Sequence, residues 1–115
     1  MHEMGIAMQV VEIAAASVPE HIQNPRVEQV NLKIGKLSSV VPDSLRFCFE
    51  VITKDTPLEG AVLNIEVAPV VARCRDCGVE WTIEDAVFRC KACSSGSVEV
   101  ISGRELDIIS IEIAD

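Results

Sequence analysis

With 115 residues the chain has room for one compact core and a small satellite module, not for two conventional domains. Its 10 basic and 18 acidic residues give a formal charge of −8, which disfavours a nucleic-acid partner. The opening MHEMGIAMQVVEIAAA has neither a basic n-region nor about 20 apolar residues in a row, so no signal peptide and no membrane span are expected, and the protein is expected to be soluble and cytoplasmic.

From about Gly5 to Val18, Ala7, Val11, Ala14 or Ala15, and Val18 recur at three-to-four spacing and predict a helix. Pro19 and Pro25 bracket a polar connection in which His21 reads as a solvated side chain. Val30, Leu32 and Ile34 then alternate with Gln29, Asn31 and Lys33, a strand with one buried face that Gly35 ends. Pro42 and Asp43 open a second helix, where Leu45, Phe49 and Ile52 share a face and Arg46 can pair with Glu50. Cys48, inside that helix, reads as a small buried hydrophobe. After a polar turn from Lys54 to Pro57, a second strand covers Ala61 to Val67, with Ala61, Leu63, Ile65 and Val67 on one face. The last strand alternates Ile109, Ile111 and Ile113 with Ser110 and Glu112.

Between the second and last strands, Arg73 to Gly103 differs in composition: it holds two cysteine pairs, an unbroken Ser/Gly run from Ser94 to Ser97, and few aliphatic residues. It cannot bury enough apolar surface to fold unaided, and at this size a metal usually supplies the difference. The pattern Cys74-x-x-Cys77, twelve residues, Cys90-x-x-Cys93 offers four soft ligands in two pairs, the set a tetrahedral Zn(II) needs. Each pair can form a knuckle with both sulfurs facing one point. Gly78 permits the tight turn after the first, and Trp81 and Phe88 are candidate covers. Because all four positions are cysteine, none remains for water, so the site reads as structural rather than catalytic. A thioredoxin-like dithiol would begin a helix after a strand, which two pairs in a loop-rich insert do not resemble. A tetrahedral four-sulfur site can also take iron, and the sequence leaves the metal open.

The chain begins Met1-His2-Glu3. Methionine before a residue as large as histidine is normally retained, so a free amine is expected beside His2. That amine, the amide nitrogens of His2 and Glu3, and the His2 imidazole can close consecutive chelate rings around one ion, a square-planar nitrogen set suited to Ni(II) or Cu(II). Alone the signal is weak, since many chains begin near a histidine. Glu3 also has a plainer role, as an acid in the first turn of a helix.

Taken together, Met1-His2-Glu3, the run VNLKIGKLSSVVPDSLRFCFE from Val30 to Glu50, the stretch Glu59 to Pro69 and the two C-x-x-C pairs resemble the HypA nickel-insertion accessory proteins of hydrogenase maturation. The resemblance implies an α+β fold of two helices packed on a three-stranded sheet, with a zinc-ribbon module inserted between the last two strands. It implies a nickel-binding domain at 1–69 plus 104–115 and a zinc-binding domain at 70–103. Met1, His2 and Glu3 would hold Ni(II) as cargo, and Cys74, Cys77, Cys90 and Cys93 structural Zn(II). No reaction would be catalysed. The implied partners are a GTPase, HypB, and the large subunit of [NiFe]-hydrogenase, with some members also serving urease. Histidines that flank the cysteine pairs in certain members are missing here, since the histidines are His2 and His21, so exchange of histidine for cysteine at the zinc is not expected. A nucleic-acid zinc ribbon would need a basic face with exposed aromatics, which an acidic chain with one Trp and three Phe does not supply. An inserted module on two linkers also allows a domain-swapped dimer.

Overall fold

The computed structural model of the chain describes residues 2–85 and 87–114. In chain order it contains helix α1 (His2–Ala16), strand β1 (Val27–Gly35), a 3-10 turn (Lys36–Ser38), helix α2 (Pro42–Ile52), and strands β2 (Val62–Ala68), β3 (Val70–Cys74), β4 (Glu80–Ile83), β5 (Val98–Ser102) and β6 (Leu106–Ile113). The strands form two three-stranded sheets, ordered β2-β1-β6 and β4-β3-β5. The fold is mixed α+β, with the second sheet inserted between β2 and β6. Sequence periodicity predicts three strands; β3, β4 and β5 escape it because they are short, with no long apolar alternation.

Two compact units result: Met1–Lys33 with Val40–Glu66 and Asp107–Asp115, and Ile34–Ser39 with Val67–Leu106. In the first, α1 buries Glu3, Ala7, Val10 and Ala14, spaced four, three and four, while Val11 is only half-buried. Helix α2 buries Leu45, Cys48 and Phe49, as a lone buried cysteine should be, and β1 adds Val27, Val30 and Leu32 to the same core. Asn31 lies against Asn64 and Lys33 against Glu66, pairs that advance together along both strands, so β1 and β2 run parallel with α2 as their crossover. Helix α2 opens on Pro42, whose missing N–H costs nothing at that position.

Three expectations are corrected. Arg46 pairs with Asp43 at 3.2 Å, and its Nε donates to the Leu63 carbonyl, so it reaches back and sideways rather than forward to Glu50. Ile109 is 56% exposed: β6 is an edge strand, and its burial changes phase between the half-buried Ile108 and Ile111. Val67 is likewise exposed while Ala68 is buried, because alternation shifts where β2 enters the second unit.

In the second unit the Ile34–Ser39 segment is tied to Gly103 and Glu105: Gly35 N–H donates to the Glu105 carbonyl and Leu37 N–H to the Gly103 carbonyl, both at 2.8 Å. The approach at Gly35 is so close that a Cβ there would lie 2.0 Å from the Gly103 backbone, so no side chain fits. These bonds are why 34–39 clusters with the second unit, although its strand begins in the first. Central strand β3 pairs antiparallel with β4, Arg73 opposite Glu80, and with β5, Cys74 opposite Val98. Its apolar face buries Val70, Ala72 and Cys74, and the last of these delivers the first cysteine to the end of the strand.

Candidate metal centre

Both cysteine pairs fold into the same local shape. In the first, Cys74 N–H donates to the Val79 carbonyl and Gly78 N–H returns to the Cys74 carbonyl; in the second, Cys90 N–H donates to the Ser95 carbonyl and Ser94 N–H returns to the Cys90 carbonyl, each at 2.9 Å. The turn needs a left-handed residue at the fourth position after the first cysteine. Gly78 (φ 78°) fills it in one knuckle and Ser94 (φ 62°) in the other. The symmetry was readable for Gly78, and Ser94 carried no such signal. Ser94→Gly is expected to stabilise the protein by about 1 kcal/mol, seen as a higher unfolding midpoint, because it removes a Cβ from a left-handed backbone.

The knuckles bring all four sulfurs within 4.8 Å of one another. Cys74 and Cys93, and Cys77 and Cys90, are each 3.5 Å apart across the two knuckles. A disulfide would need about 2.05 Å, whereas Zn–S bonds of about 2.3 Å place tetrahedral sulfurs about 3.8 Å apart. The donor set thus fits one tetrahedral, thiophilic ion with little movement. Cys74 and Cys90 are buried and Cys77 and Cys93 exposed. Backbone N–H groups point at the buried pair: Cys77 N–H to Cys74 Sγ, and Ala92 and Cys93 N–H to Cys90 Sγ, all at 3.4 Å.

These bonds divide the protons unequally. The Cys77 N–H, helped by the Asp76 N–H and the Cys93 thiol, outweighs burial and draws Cys74 down to about 6. The Cys93 N–H does the same for Cys90, which is also lowered. The Val79 N–H pulls on Cys77, but sharing with Cys90 and burial leave it raised. At Cys93 the Ser95 N–H is outweighed by the Cys74 and Cys90 sulfurs, and the thiol is pushed up to about 12. Four thiolates cannot crowd together without a cation between them, and the protein alone lowers the buried pair, Cys74 and Cys90, while it raises the exposed pair, Cys77 and Cys93.

The two candidate covers occupy different grooves, Trp81 beside Arg89 and Lys91, the residues that flank Cys90. Trp81 sits in β4 opposite Ala72, and Phe88 is largely exposed, lining a groove with Leu37, Val70 and Ile83. His21 is exposed in the polar connection.

Of the predicted nickel ligands, Met1 lies outside the described residues. His2 is exposed and its Nε2 sits 3.0 Å from Glu3 Oε2. Glu3 is only 6% exposed, which a simple helix-start acid would not be. Its Oε2 accepts the N–H of Val41, the N-cap of α2, at 3.3 Å, so a side chain from α1 does what the third-position glutamate of a capping box does within one helix. Burial raises the Glu3 pKa, but the Val41 N–H, its own N–H and His2 hold it below its ordinary value. Its contribution to stability is therefore present above that ordinary value and fades as pH falls through the lowered one.

An α+β unit with a charged helix start, followed by a β-module closed on four cysteines, defines a small metal-handling protein. A family model described as hydrogenase/urease nickel incorporation, metallochaperone, hypA, matches residues 1–113. The hydrogenase maturation factor HypA of Desulfosudis oleivorans is 58% identical over 115 residues, all of both chains. That of Desulfatibacillum aliphaticivorans is 56% identical over 100% of this chain and 88% of the relative. The solution structure of the Ni metallochaperone HypA from Helicobacter pylori shares the fold, with a TM-score of 0.69 at 22% identity over 98% of this chain and 97% of that one. The chain belongs to the HypA family of hydrogenase/urease nickel-incorporation metallochaperones. Among the described residues no helix is long and apolar enough to cross a membrane.

Proposed function

We propose that the chain binds Ni(II) through Met1, His2 and Glu3 and delivers it for maturation of [NiFe]-hydrogenase, while Cys74, Cys77, Cys90 and Cys93 hold a structural Zn(II). Membership of the family carries this reading. One local feature supports it. The four sulfurs leave no open position, which favours a structural ion and a protein that is not an enzyme.

A delivery site must hold its ion and still let it go, and ligands at a chain end can peel away one by one. To take nickel, the imidazole leaves the Glu3 carboxylate, which stays anchored on Val41. The proposed partners are the GTPase HypB and the recipient hydrogenase large subunit, with urease accessory proteins as a second route, all in the cytoplasm. The test is to block the amine. A form extended by a few residues ahead of Met1 is expected to lose stoichiometric nickel binding in calorimetry and to keep its zinc. Undiminished nickel affinity in the extended form would rule the terminal site out.

A further inference from the structure

The second knuckle is the less self-sufficient half of the four-cysteine site. Its left-handed position is held by Ser94 instead of glycine, and the chain leaves it through Ser95, Gly96 and Ser97, a composition that is flexible unless tied down. Two contacts tie it to the first knuckle without involving sulfur. Arg75 N–H donates to the Ser97 carbonyl at 2.9 Å, and the Ser95 hydroxyl donates to Asp76 Oδ2. The same hydroxyl accepts the Ser97 N–H at 3.0 Å, and the Ser95 carbonyl accepts the Cys90 N–H. Ser95 thus joins the Cys90 knuckle, the loop that follows it, and Asp76. On the other side Asp76 lies between Cys74 and Cys77 in the first knuckle, next to Cys77, whose N–H donates to Cys74 Sγ. One side-chain bond therefore spans the point where the two sulfur pairs would part.

We propose that Asp76 and Ser95 form a latch across the two knuckles that slows escape of the metal from the four-cysteine site; the inference rests on the zinc assignment above. Metal leaves such a site by sequential loss of sulfurs, and each partly opened state recloses only if the knuckles stay near one another. The latch keeps them near. It does so through hydrogen-bond geometry, not through the carboxylate's charge, which by itself would oppose gathering four thiolates. Asp76 and Ser95 are positioning residues: neither is a ligand. Groups that hold metal ligands in place typically change metal affinity by about 10–100-fold when removed.

The experiment uses the full chain loaded with zinc, mixed with excess pyridylazoresorcinol, and follows the release rate, with zinc content measured first. Asp76→Ala and Ser95→Ala are each expected to speed release about tenfold. The double variant should be scarcely faster than either single one, because both remove the same bond. Asp76→Asn, which keeps an acceptor oxygen without the charge, should release zinc at close to the original rate. Rates within twofold of wild type for both alanine variants, additive effects in the double, or an Asn variant as fast as Ala would each overturn the latch. A wild-type chain that takes up no zinc overturns the zinc assignment, and the latch with it.

Discussion

Replacing His2 by alanine is expected to abolish stoichiometric nickel binding while leaving one zinc per chain. The substitution removes one nitrogen ligand and the chelate ring it closes, so the loss should exceed the 10–100-fold typical of groups that merely support a ligand. Calorimetry and optical spectra read the nickel site, and zinc is counted independently. The helix should survive, since His2 is an exposed first-turn residue and the bond from Val41 N–H to Glu3 does not depend on it. Retained nickel in the alanine variant would move the nickel site away from the N-terminus.

The second large effect is expected on removing zinc. Chelation, or Cys90→Ser, should unfold the β3–β5 module while leaving the helical signal of the first unit, which has its own buried core in Val30, Leu32, Leu45, Phe49 and Leu58. Structural zinc supplies on the order of 10–16 kcal/mol in small modules, far more than the few buried side chains of this one can replace. The single tryptophan, Trp81, lies in β4, so its fluorescence reports on the module alone. Unchanged emission and amide protection in the stripped protein would show that the module does not need its metal. The pH dependence has a definite sign. Cys77 and Cys93 are raised and hold protons at neutral pH, whereas Cys74 is drawn down to about 6. Zinc must therefore expel at least the protons of Cys77 and Cys93, and its apparent affinity should rise steeply with pH near pH 7. Measuring the proton release in buffers of different ionisation enthalpy checks this.

Much of the protein is legible in its sequence. Strict alternation at Val30, Leu32 and Ile34 announced a strand buried on one face, and Pro42-Asp43 before an apolar face announced α2, because both signals follow from local geometry. The cysteine spacing announced four sulfurs at one point for the same reason: a C-x-x-C turn sets its two sulfurs by itself. Less was legible where neighbours decide. Ile109 carries the pattern of a buried residue and is exposed, since an edge strand's cover depends on what packs beside it. The strands β3, β4 and β5 are too short to show a period, and form because β4 and β5 each pair with the central β3.

By itself the sequence determined the two helices, the three long strands and the four-cysteine set, all consequences of period and spacing over a few residues. Only the tertiary structure decided that Glu3 is buried against the start of α2, that Ser94 must adopt the left-handed turn its partner knuckle gives to glycine, and that Asp76 meets Ser95. Each of these depends on residues distant in sequence meeting in space, or on a symmetry between two turns, and a polar side chain's partner cannot be read from its own neighbours along the chain.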